Sequence, residues 1–256
     1  MRELRNIIYN ENHSDICTLD IYLPEEDGLH PVFVYFHGGG MEGGSKEDPS
    51  DLIHITSKGI AFVSVEYRKY PQAKFPEFIE DAAKAIAFVK EYGKTHKLFC
   101  EMYVGGSSAG AYLAMMVYFN RHYLNQYGME PEEVKGWIFD AGQPTVHYNV
   151  LRERGLDSRL VRIDEAAPIY YVDHEVDATS QSKLLFITAD NDMPNRLEQT
   201  KLLLKTMELF QYDMSKVEFQ LMEGYNHCSY SILELVIDFI RIEIKNSIIA
   251  KDQHLG

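Results

Sequence analysis

Cysteine is scarce in this chain. Cys17, Cys100 and Cys228 are the only three in 256 residues. An odd, widely spaced set builds no disulfide framework and no paired metal-ligand motif. Positive charge is also short: 25 Lys and Arg stand against 39 Asp and Glu, a formal net charge of −14. Such a surface repels phosphate backbones and anionic lipid, which argues against nucleic acid and membrane as partners. No apolar run free of charge approaches membrane-spanning length. The opening stretch MRELRNIIYNENHSD lacks the apolar core of a signal peptide. A cytoplasmic protein is the expectation. Internal repeats, low-complexity tracts and linkers are missing too, so a single domain over 1–256 is the simplest organisation.

What the chain does have is 45% hydrophobic residues, enough for a substantial core, and a regular alternation of two patterns. ICTLDIYLP, PVFVYFHGGG, IAFVSVEYR, FCEMYVGG, VKGWIFDAG, KLLFITAD and KVEFQLME read as strands. Between them lie helical patterns. FPEFIEDAAKAIAFVKEYGK carries Phe78, Ala82, Ile86 and Val89 on one face, and AGAYLAMMVYFNRHYL is almost wholly apolar. RLEQTKLLLKTMELFQ reads as a helix opened by Pro194. YSILELVIDFIRIEI closes the chain with Ile232, Leu235, Val236, Phe239 and Ile240 aligned. Strands alternating with helices predict an α/β fold with a mainly parallel sheet covered on both faces. Residues 142–182 separate two predicted strands by more than an ordinary connection spans. They are read as a small cap or lid insertion holding short helices.

The stretch GGSSAG joins a predicted strand to a predicted helix. Its register admits one G-x-S-x-G: Gly106, Ser108 and Gly110. Ser107 would need glycine at 109, where Ala109 stands. The pattern alone arises by chance in roughly one chain in ten of this length, so its weight comes from context. A sharp strand-to-helix turn puts a nucleophilic serine at its apex, and small neighbours let the strand and helix approach. Earlier, His37-Gly38-Gly39-Gly40 ends another strand. Acyl transfer develops negative charge on a carbonyl oxygen, and glycines leave backbone N–H donors unobstructed. Gly39, Gly40 and Ala109 are the candidate donors. His37 is expected to hold the loop.

A serine hydroxyl needs an adjacent base. Of ten histidines, His227 in MEGYNHCSYS follows the last predicted strand and completes the chain order Ser, acid, His. The acid, which orients the imidazole and stabilises its charged form, is Asp192 or Asp190 in LLFITADNDMPNR. Asp192 is preferred. Asp190 abuts the strand and could instead organise the turn or cap the next helix. Cys228 is expected to be a small buried neighbour of the base. Tyr148, Tyr170 and Tyr171 are candidates either for a substrate pocket or for packing within the insertion.

Taken together, HGGG at 37–40, VEYRKYPQAKFPEFIEDAAKAIAFV at 65–89, GGSSAG at 105–110, TADNDM at 188–193 and GYNHCSY at 224–230 resemble the α/β-hydrolase superfamily. The likeness is greatest to hormone-sensitive-lipase-like esterases and small acetyl- or feruloyl-esterase-type enzymes. These markers span residues 37–230. Met41 stands where relatives often have an aromatic, and Ser107 where many have an acidic residue. The resemblance implies hydrolysis of short-chain carboxylic esters through an acyl-enzyme by Ser108, Asp192 and His227, with acetylated or aromatic-acylated carbohydrates among the candidate substrates. It implies no metal and no organic cofactor. The expected partner is a small-molecule ester, and self-association is left open. Two rival readings are a non-catalytic small-molecule binder on the same scaffold and a peptidase or amidase.

Overall fold

The computed structural model describes residues 1–173 and 180–242. Its centre is one eight-stranded sheet in the order β1-β2-β4-β3-β5-β6-β7-β8. In chain order the strands are β1 (Arg2–Ile8), β2 (Thr18–Leu23), β3 (His30–Phe36), β4 (Ala61–Val65), β5 (Phe99–Ser107), β6 (Gly136–Asp140), β7 (Lys183–Asn191) and β8 (Val217–Asn226). From β4 to β8 across the sheet every pairing is parallel. β2 pairs antiparallel with both β1 and β4. β1 was not expected from the sequence. RELRNII carries mostly exposed side chains and covers one sheet edge, so its apolar content is too low to mark a strand.

The central strands are apolar on both faces, as a sheet covered on both sides requires. Along β3, Val32, Val34 and Phe36 face one cluster while Phe33 and Tyr35 face the other. Trp137 and Phe139 oppose Ile138 in β6 in the same way. Helices α1 (Glu77–His96), α2 (Ala109–Phe119) and α5 (Arg196–Leu209) supply the first cluster. A helix over residues 233–242, α6, and a 3₁₀ segment at Ser50–Lys58 supply the second. Phe78, Ala82, Ile86 and Val89 are all buried on α1. Four of the five aligned residues of α6 and its approach are buried, with Leu235 packed at the edge. The rest of that predicted helix lies outside the described residues.

Two boundaries and one element differ from expectation. The apolar run after GGSSAG is not one helix. It breaks after Phe119, and a one-turn α3 follows at His122–Asn125. Helix α5 opens at Arg196 rather than Pro194, because Asn195 takes a left-handed conformation (φ 64°) that cannot lie within a helix. The 3₁₀ segment at Ser50–Lys58 gave no clear periodicity. Among the described residues, no helix is long and apolar enough to cross a membrane.

Residues 142–182 contain α4 (Tyr148–Glu153) and a 3₁₀ turn at Pro168–Tyr171. The Tyr112 hydroxyl of α2 donates to Ala166 O at 2.8 Å, and Asn149 Nδ2 donates to Gly40 O. The segment is therefore tied both to α2 and to the HGGG loop. Residues 174–179 of the expected insertion lie outside the described residues.

Candidate active site

In a parallel sheet the loops after the strands converge at the strand C-termini. HGGG follows β3, Ser108 follows β5, Asp140 ends β6, Asp192 follows β7 and His227 follows β8. All five line, or stand beside, one cavity of about 490 Å³. The turn at Ser108 is tight for a visible reason. A Cβ on Gly110 would stand 1.9 Å from Phe36 O, and one on Gly106 would stand 2.5 Å from the same oxygen. Only hydrogens fit there. Ser108 itself has φ 54° and ψ −112°, a region that costs a non-glycine residue of order 1–3 kcal/mol. The strain lifts its side chain off the helix and toward the cavity.

Ser108 Oγ donates to His227 Nε2 at 2.8 Å, and His227 Nδ1 donates to Asp192 Oδ1 at 2.6 Å. The carboxylate accepts at Nδ1, which leaves Nε2 as the acceptor for the serine proton. Asp192 Oδ1 also accepts the Met193 N–H at 2.6 Å, which holds the carboxylate in place. Among the described residues its buried Oδ2 has no hydrogen-bond partner. Asp190 is elsewhere. Its Oδ1 accepts the Gly224 N–H at 2.8 Å and Asn191 Nδ2 at 3.0 Å, so it ties the end of β7 to β8 and caps no helix.

The HGGG loop lies beside Ser108. Gly39 and Gly40 have φ of 108° and 65°, and a Cβ on Gly40 would meet the Tyr148 hydroxyl at 2.4 Å. Ala109 is the first residue of α2, where a backbone N–H has no intrahelical acceptor. Positive helix-end character and bare glycine amides together favour negative charge at this spot. His37 makes no bond to Ser108. It stacks on Tyr67 at 4.5 Å, and its Nε2 meets Glu66 Oε1 at 3.2 Å. Tyr67 donates to His37 O at 2.8 Å. Burial disfavours charge on Glu66, but hydrogen bonds from His37 and Lys69 outweigh it and hold the carboxyl down at about 2. The segment YR…FP…D carries a related brace: Arg68 Nε and Nη2 grip Asp81 at 2.8 and 3.0 Å, fixing the end of β4 to α1.

Sequence reasoning missed Asp140. It is buried behind the turn, where its Oδ2 accepts Ser107 Oγ at 2.6 Å and its Oδ1 accepts the Tyr230 hydroxyl at 2.8 Å. Its backbone oxygen accepts the Ser108 N–H at 2.7 Å. One residue thus joins the serine turn to the loop that carries His227. The aspartate in GWIFDAG had no motif to mark it. Ser107, the second serine, is a partner of this carboxylate. Cys228 was expected to be buried, yet the residue is exposed at the cavity. Its sulfur is turned inward, 4.0 Å from Asp140 Oδ2. Desolvation and the charges of Asp140 and Asp192 push its thiol pKa up, away from thiolate chemistry. Of the three tyrosines, Tyr148 lines the cavity. Tyr170 is exposed, and Tyr171 donates to Glu165 O within its own segment.

Burial raises the Asp140 carboxyl from 3.8 to about 6, opposed by the bonds from Ser107 and Tyr230 and by nearby His227, and reinforced by Asp192. A carboxyl raised in the folded state favours folding when protonated. That contribution is present below the unfolded pKa and lost as pH rises through about 6. A shift of this size corresponds to about 3 kcal/mol. Urea unfolding at pH 4.5 and 7 should therefore show Asp140→Asn gaining stability relative to wild type between the two values. A difference independent of pH would show that Asp140 does not titrate in this window.

Comparison with known proteins bears on the fold. The BD-FAE family model matches residues 19–138. A probable isoprenylcysteine alpha-carbonyl methylesterase of Oryza sativa subsp. japonica is 33% identical over 116 residues, 43% of this chain and 26% of the relative, so the chain spans about a quarter of that relative's length. A kynurenine formamidase of Salmo salar is 25% identical over 244 residues, covering 92% of this chain and 77% of the relative. Among solved structures, a truncated carbohydrate esterase from gut microbiota superposes with a TM-score of 0.78 at 18% identity, covering 95% of this chain and 96% of that one. The order of the parallel strands and the superposition agree: the chain has the fold of these esterase structures, a mostly parallel α/β-hydrolase sheet covered by helices.

Proposed function

We propose that this protein is a serine esterase that hydrolyses short-chain carboxylic esters. The observation that carries the reading is the unbroken Ser108–His227–Asp192 chain, at 2.8 and 2.6 Å, facing the HGGG loop. Ser108 Oγ attacks the carbonyl carbon while His227 Nε2 takes its proton. The N–H groups of Gly39, Gly40 and Ala109 hold the developing oxyanion, and Asp192 stabilises the imidazolium. Collapse of the tetrahedral intermediate breaks the bond to the alcohol, which leaves with the proton from His227. Water, activated by the same histidine, then cleaves the acyl-enzyme and restores Ser108.

A short acyl group fits the dimensions. From residues 142–173, Tyr148 supplies a wall of this cavity. Each buried methylene could add up to ~0.8 kcal/mol in a long apolar tunnel. Here the lining mixes Ser45, Asp48, Ser50 and Asp51 with Leu52, Met193, Tyr230 and Ile232, so a growing alkyl chain meets carboxylates and hydroxyls as well as apolar side chains. With p-nitrophenyl esters from acetate to decanoate, kcat/KM should fall beyond about four carbons, where further methylenes meet no continuous apolar tunnel. A rise out to decanoate, or activation at a lipid interface, would point to a lipase instead. The carboxylates and hydroxyls in this lining suit a hydroxylated alcohol such as a sugar, and acetylated oligosaccharides are the test of that choice.

A second reading is favoured by one observation: the kynurenine formamidases of Salmo salar and Danio rerio each match 92% of this chain. The same serine could release formate from an aryl formamide. Formanilide turnover exceeding that of phenyl acetate would select it. For the wider setting we propose a cytoplasmic protein without a nucleic-acid partner, supported by sparse cysteine and the net charge of −14.

A further inference from the structure

A second cavity, of about 420 Å³, adjoins the first and shares Tyr148 and Met193 with it as a common wall. Arg196 lines it and is 2% exposed. The partners of this guanidinium are all neutral. Nη1 donates to Ala141 O, and Nη2 to Gln143 Oε1 at 3.3 Å and Met193 Sδ at 3.7 Å. Gln143 is itself held by Val146 O and Thr145, so its oxygen is fixed toward the arginine. Among the described residues Arg196 forms no ion pair. Arg159, at the same cavity, is already engaged by Asp157 at 2.5 Å. A buried cation with neutral partners is costly to folding and is kept by few structures without a use. Asp192 supplies favourable field, yet it is committed to His227.

The catalytic cavity is electrically lopsided. Away from Arg196 its lining includes Asp48 and Asp51, which repel a negative group. An anionic substituent on a substrate held at Ser108 is thus driven past Tyr148 and Met193. We propose that this second cavity is a carboxylate-binding subsite, in which Arg196 receives a substrate carboxylate. The substrate class is a small ester or amide bearing a carboxylate a few bonds from the scissile carbonyl. The inference deepens the hydrolase reading and rests on it for the placement of the reacting bond.

Two measurements keep the two claims apart. Titration calorimetry with glutarate, against neutral glutaramide, reads the subsite without turnover. The expected result is glutarate binding by wild type and not glutaramide, weakened about tenfold or more by Arg196→Met, the loss typical of a charge-assisted hydrogen bond. Because Arg196 also supports Ala141 O, that variant could fold poorly. Leu160→Glu, at the exposed lip of the cavity, adds a repelling charge without touching the core and should weaken glutarate binding as well. The second measurement compares p-nitrophenyl hemiglutarate and 4-acetoxybenzoate with their neutral counterparts, p-nitrophenyl pentanoate and phenyl acetate. A preference for the anionic member of either pair, lost in Leu160→Glu, supports the subsite. No glutarate binding by wild type, or binding undiminished in both folded variants, overturns it. Glutarate binding with no turnover of any ester would uphold the subsite and reject the hydrolase.

Discussion

Ser108→Ala is expected to lose about six orders of magnitude in kcat with p-nitrophenyl acetate, the scale found when a triad serine alone is removed from a serine protease. Without Oγ no covalent acyl-enzyme forms, and His227 has no proton to take. What remains is the oxyanion donors acting on water. The fold should be untouched. Ser108 is only partly buried, and its backbone N–H still donates to Asp140 O at 2.7 Å. Alanine accepts the same φ of 54° at a similar cost. Ser107→Ala provides the contrast. It removes one of two hydroxyls that hold Asp140, so it should disturb the position of the turn and keep much of the turnover. A fluorophosphonate probe should label Ser108 in wild type and in Ser107→Ala. Labelling at Ser107 would show that the nucleophile is in the other register.

The parts of this site that could be seen in the sequence are those whose chemistry needs a fixed local spacing. G-x-S-x-G is legible because the contact of Gly106 and Gly110 with Phe36 O excludes any larger residue. HGGG is legible for a similar reason at Gly39 and Gly40. The parallel strands were legible because a strand covered on both faces is apolar throughout. Other features arise only in three dimensions. Asp140 is an ordinary residue at the end of β6 until folding puts it between Ser107 and Tyr230, 33 and 90 positions away. Arg196 falls within a polar-looking stretch, and nothing local tells that it is buried. β1 is held at the sheet edge by backbone pairing with β2, so its mixed side chains carry little signal. The break after Phe119 has no glycine or proline to announce it.

Asp192→Asn should lower kcat by about 10⁴-fold, by analogy with the same change in a serine protease triad. Two physical effects act together. The imidazolium formed when His227 takes the serine proton loses its counter-charge. An amide that turns its NH₂ toward Nδ1 also favours the tautomer with hydrogen on Nε2, which cannot accept from Ser108. Nothing nearby replaces the lost charge. The Asp192 side chain is 1% exposed, so water cannot screen the imidazolium from that side. Asp140 is fully buried and already engaged by Ser107 and Tyr230. Asp190→Asn sits only two residues away and removes the same formal charge, yet its Oδ1 can still accept the Gly224 N–H that it accepts now. It should therefore retain most of the turnover and act, if at all, on the thermal midpoint. The pair separates geometry from net charge: both variants change the net charge by one unit, but only one carboxylate lies 2.6 Å from His227 Nδ1. Matched circular dichroism spectra with the larger kcat loss at Asp190 would move the triad acid to that residue.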